Sequence, residues 1–263
     1  MALFSTIKTV KNTNSFLYKV VLFHVLCAAF CTLAIFVDDR TLTGVNVWIK
    51  PLKFAVSGAV YIFTVGYFSI FYPFSNKWRN LLLYTVAFTL LLEYLIILFQ
   101  AGRGVQSHYN ISNPLDGLLF ASMGILIAIN VLIMFYFLLE TIRLRMKVAT
   151  VVQLAIGFGW LIILVGSWVG GQMISQMAHN VGVVDGGEGI AILNWSTVAG
   201  DIRIAHFFGV HGLQIIPLFA VWLRSISIKK SRNQLILVLL FALLYAIWLG
   251  WVFYRAKQGL TTF

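Results

Sequence analysis

Residues 80–101 read NLLLYTVAFTLLLEYLIILFQA, and Glu93 is their single charge. At about 1.5 Å per residue, a helix over this stretch covers the roughly 30 Å of a bilayer's hydrocarbon core. Six further runs have the same character, near 17–37, 52–73, 115–139, 150–174, 203–224 and 233–254. The predicted fold is therefore all-α, a polytopic membrane bundle of seven transmembrane helices forming a single domain over 1–263.

Composition agrees with this reading. Of 263 residues, 60% are hydrophobic and 10% charged, and the mean hydropathy is +0.92. A soluble domain carries roughly 25% charge, so this chain is too apolar to coat a water-exposed globule. Disorder requires low hydrophobicity and is excluded for the same reason. The net charge of +11 does not indicate a nucleic-acid partner, because the basic residues sit in short clusters between apolar runs rather than on one soluble face. The partner the composition implies is the lipid bilayer.

The clusters set an orientation. With the N-terminus inside, Lys8, Lys11, Lys19, Lys77, Arg79, Arg143, Arg145, Lys147, Arg224, Lys229, Lys230 and Arg232 face the cytoplasm. Arg40, Lys50, Lys53, Arg103, Arg203, Arg255 and Lys257 face outward. Twelve against seven predicts N-in, C-out. Residues 1–16 read as a polar leader to the first run. That run is followed by Asp38-Asp39-Arg40 and lacks a small-residue cleavage site, so it is expected to be retained as a span.

Helix ends and contacts are also readable. Asn113-Pro114-Leu115-Asp116 spells an N-cap, a proline at the first helical position and an acid at the third; Lys50-Pro51 opens the second span in similar fashion. Pro217 falls inside the sixth span. Gly157, Gly159, Gly166, Ser167, Gly170 and Gly171 make the fifth span small-faced, as do Ala205, Gly209 and Gly212 in the sixth, so these two spans are expected to approach closely. The longest loop, 176–202, contains Asp185, Glu188 and Asp201. It is expected to cap the outer face, with a short hairpin over 181–192 turning at Asp185-Gly186.

Ionisable side chains within a membrane span are costly and mark candidate function. His24, Glu93 and His211 are the clear cases. Glu93 lies nine residues from Gly102, roughly 13 Å along a helix, and His211 lies eight from Arg203, roughly 12 Å. Tyr61, Ser122, Ser167 and Tyr245 fall near the same level. Lys53, Ser57, Tyr61 and Thr64 share one face of the second span, Thr89, Glu93 and Gln100 make a stripe on the third, and His211 and Gln214 share a face of the sixth. This layer predicts a polar pocket opening outward, with Glu93 and His211 as candidate catalytic acid–base groups. Lys53, Ser57, Tyr61, Gln100 and Gln214 are its candidate ligand-binding residues. Glu93 is expected to face inward within hydrogen-bond reach of His211, Tyr61 or Lys53, and its replacement by leucine to lower stability by about a kcal/mol or a few. The same polar groups also satisfy one another in an ordinary polar bundle.

Metal chemistry is not favoured. His206 and His211 are five apart and do not share a helix face; His108, Asp201 and His206, with Asp116, are the remaining candidates, at the outer rim. His24, Cys27 and Cys31 share a face, yet no second such helix accompanies them, and His24 and His211 lie at unequal depth for a haem. The cofactor stays unknown.

Trp48-Ile-Lys-Pro-Leu-Lys-Phe54, Gly102–Asn110 and Gly200–Gln214 resemble segments of a family of uncharacterised bacterial multi-pass inner-membrane proteins. The resemblance implies a bacterial inner-membrane location and no particular activity. The seven-span hydrolases related to alkaline ceramidases share the N-in topology and carry a His-x-x-x-His pair near the end, but here the His206/His211 pair has four intervening residues and lies on the sixth span, so that site does not carry over. Three readings stay open: a membrane protein binding a small molecule or lipid, with acid–base chemistry available to it; a proton-coupled permease using the same Glu/His pair; and a non-catalytic scaffold. Oligomeric state is not legible.

Overall fold

A computed structural model describes residues 3–226 and 231–263. Lys229 and Lys230 of the orientation count lie outside these. Among the described residues, seven helices are long and apolar enough to cross a membrane, as the apolar runs predict, and the fold is all-α. The chain divides into two compact units, Met1–Ile133 and Met134–Phe263, with the boundary inside one long helix.

The first unit opens with α1 (Leu3–Thr13), where the sequence suggested only a polar leader. The first spanning helix, α2 (Ser15–Ala34), starts at Asn14, whose extended backbone interrupts the helical path and whose side chain accepts the Leu17 N–H at 2.8 Å. It ends three residues before the predicted limit, where the chain turns and Asp38 accepts the Trp48 indole N–H at 2.8 Å. Strands β1 (Thr41–Leu42) and β2 (Val45–Asn46) then pair around Thr43 and Gly44, both at positive φ, the geometry of a two-residue hairpin.

Helices α3 (Ile49–Ser69) and α4 (Asn76–Gly102) follow, α3 packing against α2 and α4. The carbonyls past the end of α3 would be orphaned without a donor. Arg79 supplies it, donating to the backbone oxygens of Ser69, Tyr72 and Phe74 at 3.1–3.2 Å. Helix α5 (Pro114–Arg143) begins at the predicted cap: Asn113 Oδ1 accepts the Asp116 N–H at 3.0 Å, and its amide donates back to the Asp116 carboxylate at 2.7 Å.

In the second unit, α6 (Thr150–Gln176) and α7 (Ile202–Ser225) pack over their small residues. A Cβ added to Gly166 would sit 2.5 Å from the Gly209 carbonyl carbon, and one on Gly159 would sit 3.1 Å from the Leu213 Cα. Helix α8 (Ser231–Lys257) packs on both.

Loop 176–202 is ordered, but not as a hairpin turning at Asp185-Gly186. Strand β3 (Asn180–Val181) pairs with β4 (Gly200–Asp201), and Gly189 bridges to Ser196, so the loop closes at its base and folds back near 190–195. Asp185 instead ties the chain back on itself. Its carboxylate accepts the backbone N–H of His179 and Asn180 at 2.9–3.1 Å and the His179 ring N–H at 2.5 Å. Three donor groups on one carboxylate favour a tight local turn over an open strand end. The loop seats on the C-terminal part of the unit: Gly200 leaves no room for a Cβ against the Ala256 backbone, and buried Trp195 stacks on Phe263 at 6.2 Å between centroids.

Candidate functional site

Glu93 projects from the middle of α4 and is 5% exposed. Among the described residues of the first unit it accepts no hydrogen bond and forms no ion pair, and the cation whose charge reaches it is Lys50, at the start of α3, rather than Lys53. The expected hydrogen bond to Tyr61 does not form. The Tyr61 hydroxyl on neighbouring α3 is itself buried and has no partner among the described residues. Lys53 and Ser57 lie half-buried on the same helix.

The groups flanking Glu93 are engaged. One turn toward the N-terminus of α4, Thr89 donates to Thr85 O at 2.8 Å and accepts from the Asn130 amide of α5 at 2.5 Å. Two turns toward the C-terminus, the fully buried Gln100 amide donates to Asp116 at 2.8 Å and its oxygen accepts from Arg103 at 2.5 Å. Arg103 in turn pairs with Asp116. Gln100 is thus part of a clasp joining the end of α4 to the start of α5. The sequence signal was available: Asp116 at the third helical position attracts donors from the preceding loop.

His24, also buried, donates from Nδ1 to Val20 O at 2.8 Å and lies against Tyr94 with centroids 4.7 Å apart. Gly58 makes this possible, since a Cβ there would approach the His24 ring to 2.8 Å. Cys31 approaches the Tyr94 hydroxyl at 3.9 Å. His108 is hydrogen-bonded to Ser107 at 3.1 Å and sits among Phe54, Tyr109 and Phe120.

His211 belongs to the second unit. It is half-buried, hydrogen-bonded to Gln214 as their shared face predicts, and packed on Phe207 at 4.4 Å between centroids. His206 lies over Gly170 and donates from Nδ1 to the Gly166 carbonyl at 2.8 Å, in keeping with its place in the α6–α7 contact. Asp201 is fully buried; it caps α7 by accepting the Arg203 N–H at 2.9 Å, pairs with the Arg203 guanidinium at 2.6 Å and accepts the Ser196 N–H at 2.8 Å. Tyr245 donates to Phe208 O at 2.6 Å, and Ser167 donates to Ile163 O at 2.9 Å. No group of three or more His, Cys, Asp or Glu side chains is placed to hold a metal ion among the described residues.

Each unit carries a surface groove, and both are apolar. One, of about 470 Å³, runs between α4 and α5 and is lined by Leu92, Phe99, Leu119, Ser122 and Leu126 among others. The other, of about 390 Å³, lies between α5 and α6 beside Thr141, Gln153 and Phe158. None of the predicted ligand-binding residues lines either groove. Outside the spans, electrostatics is local. Arg40 and the Trp48 indole hold the Asp38 carboxyl well below the usual carboxylate range. Burial works against ionisation of Asp185, yet His179 and the two backbone N–H groups outweigh it and bring the carboxyl down to about 2.

The chain matches no family model, no curated protein and no solved structure.

Proposed function

We propose that this multi-pass membrane protein binds a small molecule or lipid headgroup rich in hydrogen-bond donors, such as a primary amine, at a polar pocket in its first unit centred on Glu93. One observation carries the proposal. The Glu93 carboxyl is buried, accepts no hydrogen bond within that unit, and sits on α4 beside α3, whose Tyr61 hydroxyl is also buried and unpartnered among the described residues. Buried polar groups normally find partners, so an unpartnered hydroxyl and a carboxyl that accepts no hydrogen bond within its own unit, on adjacent helices, call for an occupant. An ionised carboxylate can only accept, and a phenol both donates and accepts, so the complementary ligand carries N–H or O–H groups. Lys53 and Ser57 lie on the same helix as Tyr61 and are the groups to orient it.

The 12-to-7 distribution of basic residues supports N-in, C-out insertion. The resemblance of residues 48–54, 102–110 and 200–214 supports a bacterial inner membrane. The test is thermal unfolding of the full chain in detergent, with ethanolamine and then phosphatidylethanolamine as probes. A binder raises the midpoint with concentration. Wild type should shift, and Glu93→Gln and Tyr61→Phe should shift much less. Equal shifts in all three proteins, or none in wild type with either probe or with other amines, would overturn the proposal.

A further inference from the structure

Helix α1 was not legible as a structural element, and its placement has consequences. Asn14 interrupts the path between α1 and α2. The buried Val10 and Leu17 both pack against Gly66 near the end of α3, where a Cβ would meet the Val10 side chain at 3.2 Å and that of Leu17 at 2.9 Å. The Asn14 amide donates to Asn80 of α4 at 3.0 Å. These contacts bring α1 to the same end of the first unit as the turn joining α3 to α4.

The charge at that end has one sign. Lys8 and Lys11 lie on the exposed face of α1, Lys19 is exposed on the first turns of α2, and Lys77 is exposed at the start of α4. None of the four forms an ion pair among the described residues. No acid occurs before Asp38, and none between Asp39 and Glu93. Glu93 is thirteen residues along α4 from Asn80, roughly 20 Å away. Arg79 is already engaged with the α3 carbonyls. Large apolar side chains accompany the lysines, with Phe4 84% and Trp78 40% exposed. Basic residues mixed with exposed aromatics on a short helix beside membrane spans suit the boundary of a bilayer, where rings enter the headgroup layer and ammonium groups meet phosphate.

We propose that α1 and the α3–α4 turn form a docking surface for anionic phospholipid headgroups, with Lys8, Lys11, Lys19 and Lys77 as its cations and Phe4 and Trp78 as its wedges. Charge complementarity commits the surface to an acidic leaflet. Each lysine near such a surface strengthens association about fivefold.

The experiment uses the full chain in nanodiscs, of phosphatidylcholine alone or of phosphatidylcholine with phosphatidylglycerol, and follows amide hydrogen exchange of residues 3–13. Exchange should slow about tenfold or more in the phosphatidylglycerol discs. The difference should vanish at high salt, because exposed charges are screened, and in a variant combining Lys8→Gln, Lys11→Gln, Lys19→Gln and Lys77→Gln. Equal exchange in the two disc types would overturn the proposal, as would a difference that survives the four substitutions. Slowing by inorganic phosphate in phosphatidylcholine discs would overturn it too, since the surface would then be a general anion site. The wild-type salt comparison stands even if the combined variant folds poorly.

Discussion

Replacing Glu93 by leucine should stabilise the protein. The carboxyl lies nine residues from the end of α4 at Gly102, roughly 13 Å along the axis against a hydrocarbon half-thickness of about 15 Å. An ionisable side chain at the centre of a membrane helix costs at most about 2.5–3.5 kcal/mol, the figure for its charged form, while leucine contributes about 0.5 kcal/mol in the favourable direction. No hydrogen bond within the first unit offsets this cost, and the field of the Lys50 charge offsets part of it. Allowing for loss of that field, Glu93→Leu should gain about 1–3 kcal/mol, and Glu93→Gln should stay within about 1 kcal/mol of wild type. This reverses the sign expected from sequence, which has Glu93 satisfying neighbouring groups. Equilibrium unfolding in mixed micelles of mild detergent and dodecyl sulfate measures the difference. Destabilisation by more than about 1 kcal/mol in the leucine variant would show that Glu93 has partners whose loss is costly, and the reasoning behind the proposed pocket would fail. The stabilised variant should also lose its response to ethanolamine, a trade of function for stability.

Gly166→Ala should destabilise the protein by about 1–3 kcal/mol, because the new methyl meets the Gly209 backbone, which cannot rotate away; Gly171→Ala, with nothing within 4 Å of its added Cβ, should be neutral or gain up to about 1 kcal/mol in the same unfolding assay. Asp185 ionises at about 2 in the folded loop against 3.8 ordinarily, so its contribution is fully present above pH 4 and is lost as pH falls toward 2; amide exchange at His179 and Asn180 should accelerate over that window in wild type and be fast throughout it in Asp185→Asn. A cysteine placed at Arg145, in the basic segment between α5 and α6, should resist a membrane-impermeant thiol reagent in intact cells and react after permeabilisation; labelling from outside would overturn the N-in orientation.

The seven spans were legible because spanning length and apolarity are local properties: a chain that leaves backbone groups unsatisfied in hydrocarbon has few alternatives to a helix of about twenty residues. The Asn113–Asp116 cap was legible for the same reason, since its donors and acceptors lie within four residues. The close contact of α6 and α7 followed from small side chains alone. Only the tertiary structure decided how the polar groups pair. Helical spacing placed Thr89, Glu93 and Gln100 on one stripe, yet Thr89 meets Asn130, Gln100 joins Asp116 and Arg103, and Glu93 meets neither. Spacing reports which way a side chain points along its own helix, but a hydrogen bond depends on what a second helix presents at that height. Asp185 likewise looked like a turn residue and proved to be the acceptor that holds the base of its loop, and residues 3–13 looked merely polar until Gly66 and Asn80 supplied the surface on which they fold. A helix of eleven residues is marginal in water by itself, so its formation rests on contacts that its own sequence does not contain.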